Sequence, residues 1–399
     1  MGNILYFFTS SFPYNKSEQF IETEIKYLSK SFSKIVIIPL YSYQSKIKRN
    51  IPSNCQVLKP IITSRWQHYF IGLFGFKSLK VYFTDFITNK VYKNRNWLID
   101  IVADFCTTNT ILHSNILSNI VKEINDGDLM YFYWGKGLAN LIPFMSTTKA
   151  FKVVRFHGGD LYDCNYGGYI PIHKNIIKGA DLSVFISKHG QNYLTTRYSD
   201  LSINSVVSYL GSEDFGVSKR SEDGIFRLIS CSNVISIKRV HLIYETIQQI
   251  SDYTIIWTHI GDGPEFSSLQ EKTRYTRENV KINLLGRVAN QEVFDFYNNN
   301  YIDVFINVSS TEGLPMSIIE AISFNIPIIA TDVGGTSEIV CSQTGILLTE
   351  NPDCNEILRV IEQVRLSHFE PRLFWEKNFS AEKNYENFIK TLLASKNFD

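Results

Sequence analysis

Six cysteines in 399 residues form no C-x-x-C pair and no metal-ligand spacing, so neither a disulfide framework nor a zinc module organises this chain. No apolar stretch reaches the length of a membrane span. The first eight residues lack the charged start and cleavage site of a signal peptide, and Pro13 and Glu18 follow soon after. Internal repeats and low-complexity tracts are absent as well. These absences read as a reduced, cytoplasmic protein, and no nucleic-acid partner is expected.

What remains is ordinary globular composition, 44% hydrophobic and 20% charged, long enough for two or three domains. The net charge of +1 hides an asymmetry. Residues 1–217 carry 23 Lys/Arg against 15 Asp/Glu, hence +8, and residues 218–399 carry 17 against 24, hence −7. A basic half joined to an acidic half points to different partners for each. An anionic membrane or a pyrophosphate-linked acceptor would suit the basic half.

Short apolar runs alternate with helical patterns along the whole chain. The pattern predicts strands at 3–8, 34–40, 128–133, 151–156, 181–186 and 204–209, then at 226–231, 253–258, 279–284, 302–308, 326–330 and 344–348. Such alternation implies parallel sheets covered on both faces, here in two sets, with ligands at the carboxyl ends of the strands. The polar segment 211–224 reads as the linker. A final amphipathic helix is expected over about 380–399, with Ser380 as its N-cap.

The densest signal is 311–335, TEGLPMSIIEAISFNIPIIATDVGG. Gly313 permits close backbone approach after an apolar strand, and Pro315 suits the first helical position. The helix start would face the crevice mouth with free N–H groups, a ready place for phosphate. Glu312 stands before that helix and Glu320 about one and a half turns inside it. One carboxylate thus adjoins an anion site while the other lies deeper, where sugar hydroxyls could bind. This reads as a nucleotide-sugar site.

The Glu-x7-Glu spacing with Gly-x-Pro behind the first Glu resembles the retaining GT-B glycosyltransferases of family 4, of the bacterial capsule, exopolysaccharide and O-antigen type. The resemblance implies two Rossmann-like domains facing across a cleft, an acceptor-binding domain at 1–215 and a nucleotide-sugar domain at 216–379, with the last helix crossing back to the first. It implies donor contacts from Glu320, Gly313, Leu314 and Pro315. Lys238, in a strand-loop-helix segment, would hold the leaving diphosphate. The family usually has Arg five residues earlier; here Asn233 stands there, so Arg239 could supply part of that clamp. Gly261, in Gly-Asp-Gly-Pro, reads mainly as structural punctuation near the donor. Val288 would lie by the nucleobase.

In the first half, His157-Gly-Gly-Asp160 follows a strand and is similar to the family's His-Gly-x-Asp loop. The resemblance places His157 on the transferred sugar and gives Asp160 an orienting or acceptor role. Trp134 also ends a strand, where stacking on a sugar and core packing both fit. The loop after the first strand lacks the common Gly-Gly and resembles the Phe-Pro-Tyr branch. Glu18 and Glu22 there could touch the acceptor or simply favour a helix N-terminus. Segment 65–97, aromatic and basic, suits either a helix lying in an anionic membrane interface or a buried helical hairpin.

The expected activity is a retaining, metal-independent hexosyltransferase without cofactor, with His157, Glu312 and Lys238 as its catalytic set. It would move a sugar from a nucleotide sugar to a hydroxyl of a glycan, lipid-pyrophosphate-linked and met at the inner membrane face. A silent glycan-binding partner subunit and a nucleotide-sugar epimerase are the alternatives.

Overall fold

The computed structural model describes residues 4–14, 18, 20–42 and 49–396, with side chains except at Arg65, Gln67 and Lys396. The chain forms two compact units, Met1–Ser208 joined by the last helix from Tyr385 onward, and Tyr209–Asn384. The first unit therefore closes at Ser208, ahead of the expected boundary at 215. The expected helical residues 397–399 lie outside the described part.

In the first unit seven parallel strands are β1 (Ile4–Thr9), β2 (Lys34–Pro39), β3 (Cys55–Val57), β4 (Leu129–Phe132), β5 (Phe151–Phe156), β6 (Leu182–Phe185) and β7 (Ser205–Val207). Their order is β3-β2-β1-β4-β5-β6-β7. Successive side chains of a strand point to opposite faces, and both faces here are buried. Leu5, Phe7, Ile35, Ile37 and Tyr131 join one core, to which the final helix adds Phe388, Ile389 and Leu392. Tyr6, Phe8, Val36, Ile38 and Phe132 join the other. This is why the strands read as unbroken apolar runs. Only β3 escaped the sequence pattern. It is three residues long at the sheet edge, and none of its side chains is fully buried.

The second unit repeats the plan with β8 (Phe226–Cys231), β9 (Ile255–Ile260), β10 (Val280–Leu284), β11 (Val304–Asn307), β12 (Ile328–Thr331) and β13 (Gly345–Leu348), all parallel, in the order β10-β9-β8-β11-β12-β13. Its core gathers Leu228, Trp257, Val304 and Ile306 beneath the helices Val240–Ile247 and Cys354–Leu366. In each sheet the order reverses beside the first strand, between β1 and β4 and between β8 and β11. These are the switch points where crevices open.

The helices Arg65–Leu73 and Leu79–Thr88 each pack on the helix Arg95–Leu112. Close approach is allowed by Gly72, where a Cβ would press on the Cys106 backbone. Polar side chains pin the inner face: Asn109 receives the Ser78 hydroxyl at 3.0 Å, and the Thr110 hydroxyl donates to the His68 carbonyl at 3.0 Å. The outer face is different. Trp66 is 88% exposed, and Phe70, Phe74, Phe76 and Phe83 are exposed too. The expected buried helical hairpin is therefore not formed: both helices lie on Arg95–Leu112 instead of on each other, and their outer face is exposed. Among the described residues no helix is long and apolar enough to cross a membrane.

Candidate functional site

At the second switch point β11 ends in Asn307, and the loop that follows carries Glu312. Lys238 reaches it from the short turn Ser236–Lys238 after β8. Its ammonium donates to Glu312 Oε1 at 2.5 Å, and the Asn307 amide donates to the same oxygen at 3.1 Å. Asn307 in turn accepts the Ser309 amide. Asn307 went unnoticed in the sequence, where it lay inside the apolar run expected as strand 302–308. The arrangement gives a carboxylate and an ammonium a fixed mutual position, both partly accessible.

The helix after this loop spans Met316–Ser323, and Pro315 is its N-cap, not its first residue. The Ile318 and Ile319 amides return to the Pro315 carbonyl, while the amides of Leu314 and Met316 have no partner among the described residues. Gly334 and Gly335 lie against this loop: Gly335 N–H donates to the Gly313 carbonyl at 2.8 Å. Gly334 has φ +57°, and a Cβ there would collide with the Glu312 carbonyl. The Gly-Gly pair thus fixes the backbone that carries Glu312.

Glu320 lies inside the helix, with the Asn290 amide 3.5 Å from one carboxylate oxygen. Burial raises its pKa to about 7, and that amide only partly offsets the effect. Cys231 is pushed up to about 12, first by burial and then by Glu320. A half-buried carboxylate with so little protein to bond is suited to hydroxyls of a ligand.

Other donor-side assignments fare differently. Arg239 does not fit a diphosphate clamp. Its guanidinium donates to the Val308, Ser309 and Glu350 carbonyls and to Asn351, all within 3.1 Å, so it ties loops together. Asn233 is exposed after β8, and Val288 is half-buried beyond β10. Gly261 pairs with Gly286, and a Cβ there would strike the Ser232 carbonyl; its role is close backbone approach.

In the first unit His157 caps the turn after β5. Its ring is buried, lies 4.5 Å from Trp134 and 4.8 Å from Tyr133 by centroid, and leaves both nitrogens without partners among the described residues. Burial, and next the charge of Arg155, hold its pKa well below the ordinary imidazole value. It is therefore neutral. Asp160 accepts His157 N–H at 2.6 Å and the Gly135 amide, yet burial still raises it to about 7. Asp160 thus orients the His157 loop.

Glu18 does not serve a helix N-terminus. It sits ahead of the helix Phe20–Ser31 at φ +63°, and its buried carboxylate turns inward. It accepts the amides of Ser10, Ser11 and Phe12 and the Trp134 indole N–H. Those bonds shape the loop after β1 and set the Trp134 ring. Trp134 is half-buried and borders a cavity of the first unit, so it is more than core.

Residues 213–378 match the family described as glycosyl transferases group 1. Among curated relatives, the O-antigen biosynthesis glycosyltransferase WbnH of Escherichia coli is 36% identical over 117 residues, 29% of this chain and 31% of the relative. Protein CapJ of Staphylococcus aureus is 24% identical over 173 residues, 42% and 43% of the two chains. The chain thus spans less than half the length of these relatives. Among solved structures, the lipopolysaccharide outer core galactosyltransferase WaaB superposes with TM-score 0.68 at 15% identity, covering 98% of this chain and 99% of that one. HepE of Anabaena, in complex with UDP, gives 0.65 at 14%, covering 98% and 100%. These likenesses show the fold: two Rossmann-like units of the GT-B type.

Proposed function

We propose, from the match of residues 213–378 to the glycosyl transferases of group 1, that this chain moves a sugar from a nucleotide sugar to a hydroxyl of a glycan, with retention of configuration. The observation that carries the reading is the joining of Lys238, Glu312 and Asn307 where β8 and β11 part, with Glu320 in the helix beyond. Lys238 offers a point charge to a departing diphosphate, and the unpaired Leu314 and Met316 amides supplement it. Glu312 and the neutral His157 are assigned to the transferred sugar, and Glu320 to the ribose. HepE has been solved with UDP and with UDP-glucose, which favours a nucleotide-sugar donor here. The name of WbnH favours surface polysaccharide as the pathway.

The acceptor in this reading is lipid-linked and met at the cytoplasmic membrane face. The exposed aromatics of segment 65–97, interleaved with Lys77, Lys80, Lys90 and Lys93, fit insertion into an anionic interface. The reaction is read as independent of metal and cofactor because Lys238 carries the diphosphate charge. Nucleotide sugars are screened for hydrolysis or for protection against unfolding, with and without chelator. One donor should be used equally well in both conditions, and Lys238→Ala should lower its turnover strongly. Activity lost to chelator and restored by Mg²⁺ or Mn²⁺ would remove Lys238 from this role.

A further inference from the structure

The first unit carries a half-open cavity of about 680 Å³ between the ends of β1 and β4 and the helix Arg95–Leu112, within the size range of small-ligand sites. Phe20, Tyr41, Trp134 and Tyr166 give it aromatic walls. Among the described residues its charged groups are Glu18, Asp100, Asp104 and Asp160 against one cation, Lys136. Aromatic faces beside carboxylate acceptors suit the apolar faces and hydroxyls of a sugar ring.

The disposition of these charges decides which sugar. Glu18 and Asp160 are bonded to loop amides, as described above. Asp104 accepts the Tyr82 hydroxyl at 2.7 Å. Asp100 is half-buried, one turn before Asp104 on the same helix, and has no hydrogen-bond partner among the described residues. Lys136 stands 3.6 Å over the Tyr166 ring and interacts with Asp104, Asp100 and Asp160 together. Its charge thus stands in the field of three carboxylates. Four carboxylates against one lysine make the described wall acidic and unfavourable to an incoming anion.

We propose that this cavity receives a sugar residue of the acceptor that is neutral or bears an amine, and that Asp100 and Asp104 select against acidic sugars and phosphate. The assignment rests on the transferase reading and narrows it: any pyrophosphate of the acceptor stays outside the cavity. Hydroxyl or ammonium groups would donate to Asp100, the carboxylate left unbonded by the protein.

The test is binding to the full chain without donor, followed by saturation-transfer NMR and calorimetry. The probes are a glucosamine disaccharide, its neutral N-acetylated form, a disaccharide containing glucuronic acid, and inorganic pyrophosphate. The first two should bind, and the acidic sugar about tenfold or more weakly. Pyrophosphate should not displace a bound sugar. Asp100→Asn needs no repacking and should narrow the gap between neutral and acidic sugars, and Asp104→Asn should do the same wherever it folds. Acidic sugar bound as tightly as neutral sugar, or a gap unchanged in Asp100→Asn, overturns the proposal. Calorimetry with a nucleoside diphosphate separates the two readings. Nucleotide binding without any sugar binding defeats this inference alone. Sugar selectivity without nucleotide binding defeats the donor reading and leaves this one standing.

Discussion

Glu312 and Glu320 are seven intervening residues apart in sequence and differ in every physical respect that matters. Glu312 is held by an ammonium and an amide, whereas Glu320 has one long amide contact and a pKa raised to about 7. A lightly bonded carboxyl gains most from ligand hydroxyls. Glu320→Ala should therefore weaken nucleoside diphosphate and intact donor alike, by about 1–3 kcal/mol. Calorimetry on the folded variant checks this, and unchanged affinity removes Glu320 from the ribose. Glu312→Ala and His157→Ala should instead keep nucleoside diphosphate affinity and lose turnover, as expected of contacts made at the reacting centre. Near wild-type transfer by either variant breaks the assignment at that position. The spacing around Glu312 was legible because a strand, a loop and a helix follow one another there. Arg239 was misread because the carbonyls that bind it come from loops more than 60 residues away (Val308 and Glu350 among them). Asp100 and Asp104 were silent for the same reason: their cavity exists only once distant elements meet.

Among whole elements, those buried on both faces were the easiest to read. Strands β5 and β8 fall where the apolar runs put them, while the short edge strand β3 carries no such run. Segment 65–97 shows the limit of composition. Aromatics on two helices announce burial or insertion equally well, and only the packing of Gly72 on Cys106 tells which face is outward. With that face free, the purified protein should float with anionic vesicles at low salt and less with neutral ones. Electrostatic attraction supplies about 1 kcal/mol per basic residue near the surface and fades with salt. Aromatic insertion leaves a part that salt does not remove. Replacing Lys77, Lys80, Lys90 and Lys93 by Glu should abolish the salt-sensitive part, and Trp66→Ala with Phe70→Ala the remainder. Wild-type protein that ignores anionic vesicles at low salt would exclude the bilayer as the occupant of this face.

At the scale of the whole molecule, burial of titratable groups works in two directions at once. Glu320 and Asp160 are raised to about 7, so the folded chain holds protons there that the unfolded chain releases from about pH 4 upward. Their contribution to stability falls as pH rises through that window and is constant above it. His157 is lowered well below its ordinary value, and His173 and His259 to about 3 and about 4, all chiefly by burial. The unfolded chain binds protons at these positions below about pH 6.5, so their contribution has the opposite sign and rises with pH up to that point. The two sets oppose one another, and the wild-type profile between pH 4.5 and 6.5 should be flatter than either alone. Glu320→Gln isolates one side. Relative to wild type, its unfolding free energy should climb between about pH 4.5 and 7, at no more than about 1.4 kcal/mol per pH unit, and then level off. Calorimetric unfolding across that range measures it, read on the transition that nucleotide shifts. Parallel profiles for variant and wild type would mean that Glu320 ionises as an ordinary exposed carboxylate. A carboxylate of that kind would have no special affinity for ligand hydroxyls.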